Sequence, residues 1–289
     1  MKVHVTGGSG FLGGSVIPLL VAAGHEPTAL ARSATAAERV AALGAVPVCG
    51  NLDDPASVDL AFAESGAEVL VNLSSLGFGH APTIVAAAEE AGLKRAVFVS
   101  TTSIFTRLAT RSKPVRVAAE DCIRSSSLDW TIIRPTMIYG TPADRNMARL
   151  LRGLRRLPVL PLPGGGRGLQ QPVHVDDLAS AIVGVLGRPL SVHRAYDIAG
   201  PEPMTLRTVI EQAGIAAGRR PKLVPVPLAP AVALAKLYEA LAPWPLLKSE
   251  QLARLAEDKA VDIGPARADL DFDPRRFADG IRAEAALLG

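Results

Sequence analysis

The fold is decided by a glycine-rich stretch near the start of the chain, Thr6-Gly7-Gly8-Ser9-Gly10-Phe11-Leu12-Gly13. The apolar segment Lys2–Thr6 predicts a strand, and the following segment Gly10–Ala23 predicts a helix. In such a turn Gly7 permits the tight bend, Gly10 lets the backbone approach a pyrophosphate, and Gly13 lets helix and strand pack closely. The first turn of the helix offers N–H groups and the positive end of its dipole to the phosphates. Because a strand precedes and a helix follows, the stretch predicts a dinucleotide-binding turn.

Strand and helix patterns alternate through the first half of the chain. Val-rich strands are predicted at Glu26–Ala31, Val46–Cys49, Glu68–Leu73, Arg95–Ser100 and Trp130–Arg134, and Ala-rich helices at Ala36–Leu43, Pro55–Ala63, Ala81–Ala91 and Val115–Ser125. Apolar strands between helices indicate a parallel sheet that is covered on both faces. The sequence therefore predicts an α/β protein with a doubly wound, Rossmann-type parallel sheet.

The alternation breaks after Gly140. Three prolines and four glycines over Leu157–Gly168 predict a loop, after which a helix over Val175–Leu186 and a strand over Ala195–Ile198 return. Beyond Gly200 the pattern is largely helical, with proline-rich breaks. We expect a dinucleotide-binding domain of residues 1–140 and about 170–199, and a smaller, mostly helical C-terminal lobe of about 141–169 and 200–289.

The charge balance and the cysteines exclude several classes of function. The formal net charge is only +3 and the two signs are mixed, whereas nucleic-acid binding favours a concentrated basic stripe. The most basic run, Arg149–Arg156, is predicted to be the solvated face of a short amphipathic helix. Cys49 and Cys122 form no CxxC motif, and the five histidines have no metal-ligand spacing. We expect no nucleic-acid partner, no disulfide framework and no metal.

Targeting and membrane signals are not predicted. The N-terminus enters a strand at once, without a signal-peptide pattern. The apolar region Leu228–Leu247 is interrupted by charged residues and prolines, which argues against a membrane span. Within it, the spacing of Leu228–Leu241 is typical of an amphipathic stretch for a membrane surface, a substrate or a partner, and equally of a helix packed on the core of the second lobe, which we favour. We expect a cytoplasmic monomer or homodimer, without a transmembrane segment, whose partner is a small-molecule substrate.

The end of the second predicted strand bears on which dinucleotide is bound. Sites for NAD usually have an acidic side chain there for the ribose 2′-hydroxyl, whereas an arginine accommodates the 2′-phosphate of NADP. The segment Ala29–Ser33 contains no Asp or Glu, and Arg32 with Ser33 can hold a phosphate through charge-assisted hydrogen bonds. This favours NADP(H), while NAD(H) remains open.

Segments spread over nearly the whole chain carry a family resemblance. They are Thr6–Gly13, which has the form TGxxGxxG, and Gly50–Asp54, Val71–Ser74, Val97–Ser103, Trp130–Gly140 and Gln171–Ala179. In these segments the chain resembles the extended or atypical branch of the short-chain dehydrogenase/reductase superfamily. Within that branch it is similar to NmrA-like proteins and to the NAD(P)-binding relatives of the 39 kDa accessory subunit of respiratory complex I.

The resemblance implies a set of cofactor contacts. They are Thr6, Gly7, Ser9, Gly10, Phe11, Leu12 and Gly13 in the first turn, Arg32, Ser33, Asn51 and Leu52 after the next two strands, and Asn72, Leu73, Ser74, Ser100, Arg116, Pro135 and Thr136 farther along. Asn51 stands where the family has an Asp beside the adenine, and its amide can still bond to the adenine edge.

The chain departs from the family in the pair of residues that transfers the proton. The family uses a Tyr and a Lys four residues later. Four residues after Tyr139, Tyr196 and Tyr238 stand Ala143, Gly200 and Ala242. Family register places Ser112 at the Tyr position and Arg116 at the Lys position. An arginine can bond to ribose hydroxyls, but it stays protonated and cannot relay a proton.

The candidates for catalysis are Thr102, Ser112, Arg116 and Tyr139. Family register favours Thr102 among the hydroxyls of Thr101–Ser103, although each can instead cap the end of the strand. A serine hydroxyl such as that of Ser112 has too high a pKa to act like a phenol without a base. Tyr139 follows a predicted strand and either faces the pocket or packs in the core.

Two functions stay open on these observations. In the first, another acid replaces the Tyr, and the chain is an NADP(H)-dependent oxidoreductase, reductase or epimerase-like, acting on a small to medium, partly apolar carbonyl compound. In the second, the chain is a non-catalytic NADP(H)-binding regulator or an accessory or assembly protein.

Overall fold

The computed structural model describes residues 1–241, 252, 254 and 256–289. The strands are β1 (Lys2–Thr6), β2 (Glu26–Ala31), β3 (Val46–Cys49), β4 (Val69–Asn72), β5 (Arg95–Val99), β6 (Asp129–Pro135), β7 (Ile138–Tyr139), β8 (Val159–Pro163), β9 (Leu169–Gln170), β10 (Val173–His174), β11 (Arg194–Ile198), β12 (Met204–Thr205) and β13 (Lys222–Val226). The helices are α1 (Gly13–Ala22), α2 (Ala34–Ala42), α3 (Pro55–Ser65), α4 (Ala81–Glu90), α5 (Ser112–Arg124), α6 (Met147–Arg156), α7 (Val175–Gly184), α8 (Leu206–Ala216), α9 (Leu228–Leu241), α10 (Gly264–Leu270) and α11 (Phe277–Leu287). Short 3-10 turns at Leu76–Phe78 and Thr102–Phe105 follow β4 and β5.

Seven parallel strands form the central sheet, in the order β11-β6-β5-β4-β1-β2-β3. All four residues of β4 are buried, as are four of the five residues of β1, which is expected of a sheet covered on both faces. The order reverses between β1 and β4, and in open α/β sheets ligands bind beyond the carboxyl ends of the strands at such a point. The predicted doubly wound Rossmann-type fold is confirmed.

Local sequence signals set the limits of the first helices. The Ser33 hydroxyl oxygen accepts a hydrogen bond from the Ala36 amide at 3.2 Å and caps α2. Asp54 caps α3 in the same way, and Pro55 takes the first helical position, where no N–H is needed. The helix ends at Gly66, which has a left-handed backbone (φ +53°). These caps lie next to the residues that follow β2 and β3, and so they fix the edge of the sheet where the predicted cofactor contacts lie.

The chain divides into two compact units. The first contains Met1–Pro135, Val175–Ile198 and Ile263–Asp273, and the second contains Thr136–His174, Ala199–Asp262 and Pro274–Gly289. The sequence assigned everything beyond residue 200 to the second lobe, so the place of the segment from residue 263 to residue 273 differs. In the structure the Tyr196 hydroxyl on β11 donates to the Asp269 carboxylate of α10 at 2.9 Å. Arg188 binds Asp271 at 2.7 Å, so this segment is held by contacts that no local pattern reveals.

The second unit has a core of its own, around Tyr139, Leu151, Val209, Phe277 and Ile281. Helix α6 buries Met147, Ala148, Leu151 and Leu154 and exposes Arg149, Arg152 and Arg156. The basic run is therefore one face of an amphipathic helix, as predicted. Among the residues that the structure describes, no helix is both long and apolar enough to cross a membrane.

The prediction of a loop over Leu157–Gly168 is wrong. Val159–Pro163 forms β8, which pairs in parallel with β13. Pro161 and Pro163 are two residues apart, so both missing N–H groups fall on the same edge of the strand, and the other edge remains able to pair. The number of prolines was therefore a misleading signal, because β8 pairs with a single described strand, β13, and needs free N–H groups on one edge only.

Helix α9 covers Leu228–Leu241, as predicted, but its packing differs from the prediction. Ala235 is buried, whereas Leu234 and Leu237 are 68% and 56% exposed. The adjoining residues 242–247 of the apolar region lie outside the described residues.

Candidate functional site

The glycine-rich turn after β1 has no room for side chains at two of its glycines. Gly7 has φ +74°, and a Cβ there would lie 2.7 Å from the Ser74 amide nitrogen. A Cβ on Gly13, at the start of α1, would overlap the Gly8 carbonyl oxygen. The Gly10 amide donates to the Gly7 carbonyl at 3.0 Å and closes the turn. The turn therefore presents backbone rather than side chains in front of α1, as a phosphate cradle requires.

A buried hydrogen bond joins the ends of β1 and β4 at the point where the strand order reverses. The Thr6 hydroxyl donates to Asn72 Oδ1 at 2.6 Å, and Asn72 Nδ2 donates to the Ser74 carbonyl at 3.2 Å. The side chains of Thr6 and Asn72 are fully buried. The structure thus brings the predicted contacts Thr6, Asn72 and Ser74 together. The side chains of Thr6 and Asn72 bond to each other at the edge of the sheet, whereas Ser9 and Gly10 lie at the surface of the turn.

The predicted residues after β2 and β3 lie at the same edge. Arg32 is exposed at the end of β2, beside Ser33 at the start of α2. Asn51 is exposed after β3, where its Oδ1 accepts from the Asp53 amide at 3.2 Å, and Leu52 is half-buried against the core. Asp53 pairs with His80 at 2.9 Å.

The end of β5 carries an ion-pair network that the sequence did not reveal. Glu120 of α5 is 4% exposed and accepts from the Ser100 hydroxyl at 2.6 Å and from Arg134 Nε at 2.9 Å. Burial alone would raise the pKa of the Glu120 carboxyl, but the hydrogen bonds from Arg134 and Ser100 hold this pKa below its usual range. The Ser100 hydroxyl, predicted as a cofactor contact, thus serves the network that joins β5, α5 and β6.

Arg116 lies one helical turn before Glu120, between two serines. Its Nη1 donates to Ser103 Oγ at 3.0 Å and to Ser112 Oγ at 2.9 Å. A Cβ on Gly77 would lie 3.1 Å from Arg116 Nε, so the guanidinium occupies space that a glycine leaves. We refer to Arg116, Ser103 and Ser112 as the serine–arginine cluster. The sequence predicts Ser112 and Arg116 together, and among the hydroxyls of Thr101–Ser103 it favours Thr102 over Ser103.

Thr102, the hydroxyl chosen from family register, lies outside this cluster. Its Oγ1 donates to the Pro135 carbonyl at 3.3 Å. The Thr101 hydroxyl oxygen accepts from the Ser103 amide at 3.2 Å and fixes the turn that directs Ser103 toward Arg116. A one-residue difference within a 3-10 turn therefore decides which hydroxyl meets the guanidinium.

Two further predicted residues, Thr136 and Tyr139, belong to the second unit. Tyr139 is fully buried, and its ring lies edge-on to His174 and Phe277, with ring centres 5.3 and 5.1 Å away. Of the two roles left open for Tyr139, the structure shows packing in the core. The Thr136 hydroxyl donates to the Gln171 carbonyl.

Comparison with known proteins decides the family. A family model described as NAD(P)H-binding matches residues 7–189. The chain belongs to this NAD(P)H-binding family. The match starts at the glycine turn and runs through the ends of β2, β4 and β5, so it includes Gly13, Arg32, Ser103 and Arg116.

Relatives and solved structures agree with the predicted superfamily. The chain is 26% identical over 273 residues to the 4-hydroxy-2-methyl-3-oxo-4-farnesyl-3,4-dihydroquinoline-1-oxide ketoreductase of Stigmatella aurantiaca, covering 83% of this chain and 80% of the relative. It is 28% identical over 201 residues to subunit 9 of the NADH dehydrogenase [ubiquinone] 1 alpha subcomplex of Arabidopsis thaliana mitochondria, covering 66% of this chain but only 50% of that subunit. The UDP-glucose 4-epimerase of Thermus thermophilus, solved with NAD, superposes with a TM-score of 0.77 at 22% identity over 100% of this chain and 99% of the epimerase. The resemblance to atypical short-chain dehydrogenases/reductases is confirmed.

Within the described part of the chain, no group of three or more His, Cys, Asp or Glu side chains is placed to hold a metal ion. The turn at Gly7 and Gly13 fits a dinucleotide, because a Cβ at either position meets backbone atoms.

Proposed function

We propose that this NAD(P)H-binding protein is a reductase of partly apolar carbonyl compounds and that it prefers NADP(H). The observation that carries the proposal is the serine–arginine cluster, Ser103, Ser112 and Arg116, which follows β5 in the same unit as the glycine turn. A guanidinium between two hydroxyls suits the stabilisation of negative charge on a carbonyl oxygen.

The cofactor would be held by the turn from Ser9 to Gly13 and by the residues after β2 and β3. The amides at the start of α1 would bind the pyrophosphate. When bound, NAD(P)H supplies a hydride for the reduction of a carbonyl carbon. The protein would orient the substrate and stabilise its oxygen.

Arg32 and Ser33 support the preference for NADP(H). Both are exposed at the end of β2, and Ser33 uses its oxygen as the cap of α2, which leaves its proton able to meet a phosphate oxygen. An arginine binds a phosphate with a charge-assisted, bidentate geometry.

Two exposed aromatic rings support a partly apolar substrate. Phe78 follows Gly77 and is 76% exposed, and Phe105 lies two residues after Ser103 and is 51% exposed. Exposed rings on both turns that border the cluster would bind an apolar part of the substrate beside its carbonyl group. The relative from Stigmatella is named for a substrate with an oxo group and a farnesyl chain.

A second candidate function is supported by the missing Tyr–Lys pair. The chain would then bind NADP(H) without turnover, as an accessory or regulatory protein. Its similarity to a subunit of the NADH dehydrogenase complex favours this alternative.

Titration calorimetry with NADPH and NADH, followed by turnover with a panel of ketones that carry alkyl or prenyl chains, separates these functions. Micromolar NADPH binding together with NADPH oxidation supports the reductase. Binding without oxidation of NADPH by any ketone would favour the accessory protein. Absence of binding to both dinucleotides would overturn both proposals.

A further inference from the structure

We propose that Ser103 and Ser112 are the groups that hold and protonate the substrate's carbonyl oxygen, with Arg116 as the positioning residue that directs both hydroxyls. The inference rests on the proposed reductase function and assigns its proton donors. Of the four candidates for catalysis that the sequence offers, it keeps Ser112 and Arg116, and it assigns Ser103 instead of Thr102 and Tyr139.

The hydrogen-bond geometry fixes the direction of both serine protons. Ser103 Oγ and Ser112 Oγ accept from the same nitrogen, Arg116 Nη1, at 3.0 and 2.9 Å. A guanidinium has donors and no acceptor, so neither serine can direct its proton at Arg116. Each serine therefore has its proton available for a third group. Because one nitrogen contacts both oxygens, a single substrate oxygen can lie within reach of both hydroxyls.

The alternative hydroxyls are bound elsewhere. The Ser100 hydroxyl donates to Glu120, and the Thr102 hydroxyl donates to the Pro135 carbonyl. Thr101 accepts from the Ser103 amide, and this bond holds the turn in place. Tyr139 is fully buried in the core of the second unit. Ser103 and Ser112 differ from these residues because their oxygens contact a cation.

The charge of Arg116 acts on the two serines. A guanidinium carries a positive charge at physiological pH. Its positive charge favours negative charge on a serine oxygen or on a substrate oxygen in the same place. Gly77 gives the guanidinium the space that this position needs.

Water is the final proton donor in the proposed reduction. The carbonyl carbon would accept the hydride that bound NAD(P)H supplies, so that a C–H bond forms while the π electron pair of the C=O bond moves onto the oxygen. That oxygen takes a proton from Ser103 or Ser112, and an O–H bond of the serine breaks as an O–H bond of the alcohol forms. The serine oxygen, left negative beside Arg116, recovers a proton from water.

The test compares Arg116→Met, Ser103→Ala, Ser112→Ala and the double serine variant with two matched controls. Arg111→Met removes the same charge from the exposed residue before Ser112, and Ser125→Ala removes an exposed hydroxyl at the other end of α5. We expect kcat to fall about 10²–10³-fold in Arg116→Met, as on loss of an oxyanion-binding donor. In each single serine variant kcat should fall about tenfold, and it should fall further in the double variant. The two controls should retain the wild-type kcat, and circular dichroism should show that every variant is folded.

A binding measurement gives a readout that does not depend on turnover. Decanoate, an alkyl carboxylate whose charge imitates a negative substrate oxygen, should bind at least about tenfold more weakly to Arg116→Met than to wild type or Arg111→Met, because the two serine hydroxyls that would bind it lose the cation that orients them. Gly77→Ala, which pushes a methyl group toward Arg116 Nε, should show the same weakening in milder form.

The outcomes separate this inference from the proposed function. One outcome is that wild type reduces a ketone while kcat stays unchanged in Arg116→Met and in the double serine variant. That result would overturn the serine–arginine assignment but would not contradict the reductase proposal. If wild type reduces no ketone, the reductase proposal fails. Equal binding of the carboxylate by wild type and Arg116→Met would then overturn the serine–arginine assignment as well, whereas weaker binding by Arg116→Met would support it.

Discussion

Arg134 donates to both oxygens of the buried Glu120 carboxylate, with Nε 2.9 Å from Oε1 and 3.2 Å from Oε2. Ser100 donates to the same carboxylate, so the end of β5, helix α5 and the end of β6 meet at one anion. Arg116 of the serine–arginine cluster lies one helical turn before Glu120 on the same helix.

Replacing Glu120 tests the stabilising effect of that ion pair. Glu120→Gln should lower the free energy of unfolding by about 3–5 kcal/mol, because it leaves the Arg134 charge buried without its main partner. Urea unfolding measures the change. Glu64→Gln, at an exposed position of α3, makes the same chemical change and should stay within about 0.5 kcal/mol of wild type. Equal effects of the two substitutions would contradict the account of the network.

The same ion pair predicts a loss of stability in acid. Because the pKa of folded Glu120 is lowered by Arg134 and Ser100, its contribution is present above the pKa of the unfolded chain. That contribution is lost as the pH falls through the pKa of the folded state. Wild type should therefore lose more stability than Glu120→Gln between about pH 6 and about pH 3. Parallel pH curves for the two proteins would contradict this assignment.

Glu284, in the second unit, should give the free energy of unfolding the opposite pH dependence. Its carboxyl is fully buried and accepts from the Gly140 amide at 3.0 Å. Burial, followed by the nearby Asp144 carboxylate, raises the pKa of Glu284 to about 9. Asp144 itself caps α6 through its bonds to the amides of Asn146, Met147 and Ala148.

The sign of the effect follows from proton uptake. Between the pKa of an unfolded glutamate and about 9, the folded chain keeps a proton that the unfolded chain has released. The free energy of unfolding should therefore fall as the pH rises through this range. Glu284→Gln keeps the shape and removes this titration, so its advantage over wild type should grow from about pH 5 to about pH 9 in urea unfolding. A constant difference across the range would show that Glu284 is ionised in the folded chain.

Gly13 and Gly14 are neighbours, but only Gly13 belongs to the predicted cofactor turn, so alanine should have different effects at the two positions. Gly13→Ala should abolish NADPH binding and destabilise the protein, because its Cβ overlaps the Gly8 carbonyl. Gly14→Ala is the matched control, since a Cβ there meets nothing within 4 Å. It should keep the affinity and gain up to about 1 kcal/mol from helix propensity. Calorimetry with NADPH and thermal unfolding measure the two effects, and normal NADPH binding by Gly13→Ala would refute the cradle.

Arg32 is expected to select between the two dinucleotides. Arg32→Ser should weaken NADPH binding about tenfold or more and leave NADH binding nearly unchanged, because only NADPH carries the 2′-phosphate. Arg39→Ser removes an exposed arginine from the last turn of α2 and controls for net charge. Equal weakening of NADPH and NADH binding by Arg32→Ser would contradict the proposed role.

The fold could be predicted because its signals are local. The turn at Gly7 and the alternation of apolar strands with helices are readable within short windows, and the strand order follows from the fold that they specify. The network around Glu120 could not be predicted, because its members lie 20 and 14 residues apart on three elements that meet only in the folded sheet. The choice of Ser103 over Thr102 depends on the rotation of one 3-10 turn, and β8 was hidden by prolines whose effect depends on which edge of the strand pairs.

The most direct test of the central claim is the transfer of deuterium from NADPH labelled at nicotinamide C4 to an alkyl or prenyl ketone, followed by mass spectrometry of the product. The proposed reductase predicts deuterium on the carbinol carbon with wild type and with Arg111→Met, and a loss of about 10²–10³-fold in the rate of transfer with Arg116→Met. Tight NADPH binding with no deuterium in any product would contradict the claim and identify the chain as a dinucleotide-binding protein without reductase activity.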